Sequence, residues 1–279
     1  MRLAANLSLM YGEWPFHERL LRAAEDGFEW VECLFPYEVP NSDWLTLMAA
    51  TGVRWALFNA PPGNWQAGDR GLACDPQRVG EFRASVEMAR ETALALNAPC
   101  VHVMSGTLAC WAGQSAGAPE ATLRQHAQDP WLKNMDWLLS QTANDPIDWL
   151  IEPLNSRDMP GYFLKTQQQA HDLISQLDPS GERRIGVQMD LYHCQITEGD
   201  VVTKLRQFLP TGRVRHIQIA GVPERHEPDW SELNLPRVLD ELRALGYQGA
   251  LGCEYRPRAG TRAGLGWIKA HGFSGTMAG

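Results

Sequence analysis

The chain has 279 residues, of which 44% are hydrophobic, and its formal net charge is −8. This length suits a single α/β barrel of about 250 residues, and the acidic balance disfavours nucleic acid or an anionic membrane as a partner. No apolar run approaches the roughly 20 residues of a membrane span, and the N-terminal segment lacks the features of a signal peptide. We therefore expect a cytoplasmic protein without nucleic-acid or membrane partners, and a homo-oligomer is left open.

Short apolar runs alternate with amphipathic segments along the whole chain. The predicted strands are Leu3–Ser8, Trp30–Phe35, Arg54–Asn59, Cys100–Ser105, Asp148–Leu154, Ile185–Leu191, Val214–Ala220 and Ala250–Tyr255. The predicted helices are His17–Ala24, Asp43–Ala50, Val79–Leu96, Leu123–Gln141, Gln167–Leu177, Val201–Phe208, Leu235–Leu245 and Arg262–Ala270. This alternation predicts parallel strands that are joined by right-handed crossovers.

Two architectures satisfy that alternation, a closed (β/α)₈ TIM barrel and an open doubly wound sheet. The count of eight strands favours the barrel. No GxGxxG follows the first strand and no GxxxxGK[ST] occurs, so the dinucleotide and P-loop alternatives lack their motifs. Since no repeat or linker divides the sequence, residues 1–279 are predicted to form one α/β domain, a single TIM barrel.

Four consecutive strands carry an oxygen-bearing side chain near their carboxyl ends, where barrel active sites lie. These residues are Glu152, Asp190, Gln218 and Glu254. Carboxylates that share a pocket repel one another unless a cation compensates. A hard, all-oxygen ligand set suits Mg²⁺ or Mn²⁺ better than Zn²⁺. One such residue alone is more typical of an ion pair, but the agreement of four strands favours a divalent-metal site.

The alternation of side chains along the last two strands supports this interpretation. His216 and Gln218 share one face of the seventh strand, and Gly252 and Glu254 share one face of the eighth. The small residue predicts free space inside the barrel beneath the Glu254 carboxylate.

Sequence blocks in a fixed order carry a resemblance to a known family. They are ANLSLMYGE, LFPYE, NAPPGNWQAGDRGLAC, IEPLNSRDMPGYFL, MDLYHCQITEGD, HIQIAGVPERHEP and GCEYRP. Together they resemble the hydroxypyruvate isomerase family, which includes the 2-oxo-tetronate isomerases and belongs to the xylose-isomerase-like barrels. The resemblance implies catalytic roles for Glu152 and Glu254. It also implies metal ligation by Glu152, Asp190, Gln218 and Glu254, and substrate contacts from His193 and Arg225.

The resemblance implies a metal-assisted isomerase of a small sugar acid, with conversion of hydroxypyruvate to 2-hydroxy-3-oxopropanoate as the expected reaction. One glutamate would remove a carbon-bound proton and the other would return it to the neighbouring carbon, although a hydride shift stays open. The alternatives are a 2-oxo-tetronate isomerase, a ketose isomerase or epimerase on the same scaffold, and a non-catalytic metabolite-binding barrel. The loop Glu227–Leu233 departs from the family pattern EPGxGEI, which leaves substrate choice open.

The long loop after the third strand supplies two further candidates for binding the substrate. Arg70 is the candidate clamp for a substrate carboxylate, because a guanidinium matches that geometry with two parallel hydrogen bonds. A solvated loop arginine is the alternative. Trp65 is the candidate wall of the substrate pocket.

Overall fold

The computed structural model describes residues 1–112 and 117–273. Eight parallel strands pair in chain order, and the first also pairs with the last, so the sheet closes into a barrel. The strands are β1 (Arg2–Asn6), β2 (Trp30–Cys33), β3 (Arg54–Asn59), β4 (Cys100–His102), β5 (Asp148–Ile151), β6 (Ile185–Asp190), β7 (Val214–Ile219) and β8 (Ala250–Cys253). The predicted (β/α)₈ TIM barrel is therefore confirmed.

Helices follow the strands around the outside of the barrel. They are α1 (Arg19–Glu25), α2 (Asn41–Thr51), α3 (Val79–Leu96), α4 (Ala109–Ala112), α5 (Glu120–Gln141), α6 (Gln167–Leu177), α7 (Leu191–Thr197), α8 (Val201–Phe208), α9 (Leu235–Ala244), α10 (Thr261–Gly264) and α11 (Gly266–Ala270). Short 3₁₀ turns cover Phe16–Glu18, Trp65–Ala67 and Leu209–Thr211. Within the described ranges, no helix is both long and apolar enough to cross a bilayer.

The outer layer is held by apolar helix faces. In α9, Leu235, Val238, Leu239 and Leu242 are buried at the spacing of one helix face. The Asn234 side chain begins this helix by accepting a hydrogen bond from the Arg237 backbone N–H, which satisfies one of the free donors of the first turn.

The inside of the barrel is polar near the carboxyl ends of the strands. The buried polar side chains there include Asn6, Glu32, Gln188, His216 and Gln218. Buried polar groups require hydrogen-bond partners, and these residues supply them to one another. The barrel therefore carries a polar layer directly beside the candidate site.

Candidate active site

Three carboxylates converge at the carboxyl ends of β5, β6 and β8. Glu152 directly follows β5, Asp190 ends β6, and Glu254 directly follows β8. One carboxylate oxygen from each, together with one ring nitrogen of His193, lies within 4.8 Å of all the others. All four side chains are buried, so their charges are poorly screened by water.

Arg225, in the loop after β7, contacts this cluster directly. Its Nη2 lies 2.5 Å from Glu254 Oε2 and 3.4 Å from Asp190 Oδ2. The guanidinium also lies over the Tyr192 ring, 4.8 Å from the centroid. The backbone of Arg225 has a φ of 59°, in the left-handed region that non-glycine residues rarely adopt. A strained backbone at a charged residue of the site is typical of a functional constraint.

Burial raises the pKa of two of the carboxyl groups strongly. The pKa of Glu152 lies well above its ordinary value because the group is desolvated and because Glu254 and Asp190 are close. Burial raises the pKa of Glu254 to about 8, although Arg225 acts in the opposite direction. Each of these groups would therefore be stabilised by a proton or by an added cation.

The donor set fits a divalent cation. When the three carboxyl groups are ionised, they face one guanidinium, which leaves an excess of negative charge in a buried pocket. Glu152 Oε1 is buried and has no hydrogen-bond partner among the described residues. Carboxylate oxygens are the preferred ligands of Mg²⁺ and Mn²⁺, so the same residues that repel one another form a suitable site for such an ion.

His193 is held in one orientation by Asn155. The Asn155 backbone N–H donates to His193 Nδ1 at 3.2 Å, so in the neutral ring the proton is on Nε2. That atom lies 3.6 Å from Asp190 Oδ2. Burial lowers the pKa of His193 well below its ordinary value, and Arg225 adds to this effect. This geometry makes His193 a neutral hydrogen-bond donor that faces the pocket.

Gln218 lies beside Asp190 in the strand register, but its amide is already hydrogen-bonded. Its Nε2 donates to Glu32 Oε1 at 2.8 Å, and its Oε1 accepts from Gln188 Nε2 at 2.6 Å. The amide oxygen can accept a second interaction, so ligation of a metal by Gln218 stays a prediction.

Two further buried residues lie next to the cluster: Glu32, which sequence reasoning missed, and His102, for which the sequence left open a place in the barrel mouth or in the packed core. His102 Nδ1 lies 3.4 Å from Glu152 Oε2, and burial lowers the pKa of this histidine to about 3, with His216 as the next cause. Glu32 was detectable as the one charged residue inside the apolar run WVECLF. Its carboxylate binds three side chains from two strands, Asn6 of β1 and His216 and Gln218 of β7.

Comparison with known proteins assigns the chain to a family. Residues 20–271 match the family model described as the xylose isomerase-like TIM barrel. The chain belongs to this family. The 2-oxo-tetronate isomerase of Cupriavidus necator is 45% identical over 270 residues, which cover 97% of this chain and 98% of that protein. The hydroxypyruvate isomerase of Escherichia coli is 35% identical over 268 residues, covering 96% and 98% of the two chains.

A solved structure is similar over the same length. The protein from Brucella melitensis described as an AP endonuclease, family 2, superimposes with a TM-score of 0.87 at 40% identity, covering 97% of this chain and 98% of that one. The resemblance inferred from the sequence blocks is confirmed, and so is the expectation of an isomerase. In this member of the xylose isomerase-like family, the carboxylate cluster lies at the end of the barrel where the family fold places active sites.

Arg70 and Trp65, the other predicted substrate contacts, lie against each other in the loop after β3. The Arg70 guanidinium stacks on the Trp65 ring at 3.7 Å from its centroid, and Arg70 Nη1 donates to the carbonyls of Trp65 and Asp69 at 3.1 and 2.7 Å. Trp65 also packs edge-on against Phe35, with 5.4 Å between the centroids. In the described part of the chain, no hydrogen bond or ion pair joins this pair to the carboxylate cluster.

Proposed function

We propose that this chain is a metal-assisted isomerase of small 2-oxo sugar acids. The observation that carries the proposal is the pair of buried glutamates, Glu152 and Glu254, with raised pKa values and oxygens that face one pocket. Groups of this kind suit proton transfer to and from carbon near neutral pH. The isomerase activities of its relatives agree with such chemistry.

Glu152, Asp190 and Glu254 would hold the cation, with Gln218 as the fourth oxygen ligand. When bound, Mg²⁺ or Mn²⁺ would polarise the substrate carbonyl and stabilise the negative charge that develops on the neighbouring oxygens. The neutral His193 and the cationic Arg225 border the same oxygens, so they are the candidates to orient the substrate hydroxyl groups.

The two glutamates divide the proton transfers. A 2-oxo-3-hydroxy acid becomes a 3-oxo-2-hydroxy acid when a proton leaves C3, an enediolate forms, and a proton is added to C2. One glutamate accepts the C3 proton and the other donates to C2, while the hydroxyl proton passes from the C3 oxygen to the C2 oxygen. This division is possible because the oxygens of both glutamates face the same pocket.

Hydroxypyruvate and 2-oxo-tetronate both contain this reacting unit and differ by one hydroxymethyl group. The 45% identity with the Cupriavidus enzyme, against 35% with the Escherichia hydroxypyruvate isomerase, favours the four-carbon acid as the better substrate. Arg70 is proposed to contact the substrate carboxylate from the rim, and its stacking on Trp65 would hold the guanidinium in place.

The test is turnover of both acids by the purified protein, with EDTA and after addition of Mg²⁺ or Mn²⁺. We expect activity that EDTA abolishes and either metal restores, with a higher kcat/KM for 2-oxo-tetronate. Equal or greater efficiency with hydroxypyruvate would reverse the choice of substrate. Turnover of neither acid, with cleavage of DNA at abasic sites instead, would overturn the proposed function in favour of the activity named for the Brucella protein.

A further inference from the structure

A single buried carboxylate, that of Glu32 in β2, organises the polar layer beside the proposed metal centre. Its Oε1 accepts from Asn6 Nδ2 at 3.0 Å and from Gln218 Nε2 at 2.8 Å. Its Oε2 lies 2.7 Å from His216 Nε2. Glu32 has no exposed surface, and loss of any of these hydrogen bonds would leave a buried charge or donor unsatisfied.

This arrangement fixes which end of the Gln218 amide faces which neighbour. A carboxylate only accepts hydrogen bonds, so the amide group of Gln218 must present its nitrogen to Glu32. The amide oxygen is then directed to the other side, where Gln188 Nε2 donates to it at 2.6 Å. Without an acceptor at Glu32, the amide could rotate by half a turn and present N–H groups, which cannot bind a cation.

Asn6 connects Glu32 to Glu254, the second glutamate of the site. Its Nδ2 donates to Glu32 and also lies 3.4 Å from Glu254 Oε1, while its Oδ1 accepts from the Ser8 backbone N–H at 3.1 Å. Both ends of this amide are therefore committed, and its nitrogen joins Glu32 to Glu254.

The barrel provides a specific space for Glu32. A Cβ atom on Gly252 would lie 2.3 and 2.6 Å from the two Glu32 carboxylate oxygens, and 2.7 Å from Gln218 Cγ. Contacts this short are not seen for real Cβ atoms. The missing side chain at Gly252 therefore leaves the volume in which Glu32 meets Gln218.

We propose that Glu32 is a positioning residue of the metal centre, which turns the oxygen of Gln218 toward the bound cation and holds the Asn6 nitrogen against Glu254. This role rests on the proposed function, because it requires a divalent cation at the carboxylate cluster. Glu32 acts through the two amides and does not itself touch the metal or the substrate.

Two conservative variants separate positioning from charge. Glu32→Gln keeps the length of the side chain and its Oε1, and the new amide nitrogen can donate to His216 in the other neutral tautomer. Glu32→Asp keeps the charge but withdraws the acceptor by one methylene. If Glu32 acts by positioning the amides, Glu32→Asp weakens metal binding and Glu32→Gln does not. If Glu32 acts only through its negative charge, Glu32→Gln weakens metal binding and Glu32→Asp does not.

The experiment is calorimetric titration of Mn²⁺ into metal-free protein, for the wild type and for both variants, with and without Gln218→Leu. Loss of an outer partner of a ligand lowers metal affinity by about 10- to 100-fold. We expect about a tenfold loss for Glu32→Asp and a loss within about threefold for Glu32→Gln. In the Gln218→Leu background, Glu32→Asp should have little further effect, because the two changes act on one interaction.

Three results would overturn this role. They are wild-type affinity in a folded Glu32→Asp protein, a greater loss in Glu32→Gln than in Glu32→Asp, or an undiminished effect of Glu32→Asp when Gln218 is absent. Melting temperatures of all variants verify that the proteins compared are folded. Wild-type protein that binds no Mn²⁺ would instead overturn the metal centre itself, and with it the role of Glu32, so the two failures are distinguishable.

Discussion

Burial sets the protonation behaviour of individual side chains in this barrel, and it acts in opposite directions on acids and on histidines. Desolvation disfavours the charged form, which raises the pKa of Glu152 and Glu254 and lowers the pKa of His102 and His193. The site thus combines carboxyl groups that take up a proton readily with imidazoles that stay neutral. That combination suits acid–base work on a small substrate.

Glu152→Gln and Glu254→Gln should each lower kcat for the sugar acid by about 10²- to 10⁴-fold, because an amide can neither accept nor return the proton. Initial rates at saturating metal and substrate would measure the effect. Glu241→Gln is the matched control, since Glu241 is also mostly buried but pairs with Arg206 and Arg237 on the helices. A variant at either site glutamate that retains wild-type kcat would remove that residue from the proton transfer.

His171 predicts a pH-dependent loss of stability away from the site. Its ring stacks on Phe208 with 4.3 Å between centroids, and burial lowers its pKa from 6.5 to about 4, with Arg213 as the next cause. The unfolded chain therefore binds a proton below about pH 6.5, whereas the folded protein does so only near pH 4. The contribution of the neutral ring to the free energy of unfolding is fully present above pH 6.5. About 2 kcal/mol of it is lost as the pH falls toward 4.

Urea unfolding of the wild type and of His171→Leu at several pH values measures this contribution. The free-energy difference between the two proteins should shift in favour of the variant as the pH falls from 7 to 4.5. His17→Leu serves as the control for loss of an exposed imidazole, because this ring is 65% exposed. Parallel curves for the wild type and His171→Leu would show that burial of this ring does not perturb its titration.

At the scale of elements, the strands were predictable because their apolar runs are short and regularly spaced. All eight were located, but several end earlier than predicted; β5, for example, ends at Ile151 instead of Leu154. The sequence stays mostly apolar beyond the last paired residue of a strand, because the residues that follow are buried beside the site. Helix α7 was not predicted, since it begins directly after β6, where Asp190 caps it by accepting from the Tyr192 backbone N–H.

The three carboxylates were predictable from strand position, whereas their partners were not. Strand order places Glu152, Asp190 and Glu254 at one rim, whatever the loops do. The contact of Arg225 depends on the left-handed backbone of a loop, and that of Glu32 depends on register shifts before Glu32 and before Gln188. Neither the loop conformation nor the strand register can be predicted from the pattern of residue types.

Gly252→Ala in β8 tests how strictly the strand must leave space for the polar layer. The added methyl group would meet both Glu32 oxygens at less than 3.0 Å, so we expect a loss of about 1–3 kcal/mol from overpacking. Gly80→Ala is the control, since a Cβ at this position in α3 meets no atom within 4 Å and should be neutral or stabilising. Chemical denaturation measures both changes, and a Gly252→Ala protein as stable as the wild type would show that Glu32 can move aside.

At the scale of the whole molecule, the chain is acidic, with a net charge of −8. Several of its acidic side chains are buried together where the barrel opens. The buried acids Glu32, Glu152, Asp190 and Glu254 face Arg225 and His216. Mutual repulsion of like charges in a poorly screened interior destabilises the folded chain. A cation that binds only the folded barrel would relieve this repulsion and stabilise the whole domain.

Mn²⁺ should therefore raise the melting temperature of the metal-free protein. At a free concentration 100 times the dissociation constant, binding to the folded state adds about 2.7 kcal/mol, which corresponds to a rise of about 5–10 °C for a chain of this size. Differential scanning calorimetry over a range of Mn²⁺ concentrations measures the shift, and EDTA should reverse it. Asp190→Asn removes one proposed ligand and should reduce the shift strongly, whereas Glu241→Gln should preserve it. Because the rise reflects binding and not turnover, its absence in the wild type would argue against the metal centre even if the protein isomerised a sugar acid.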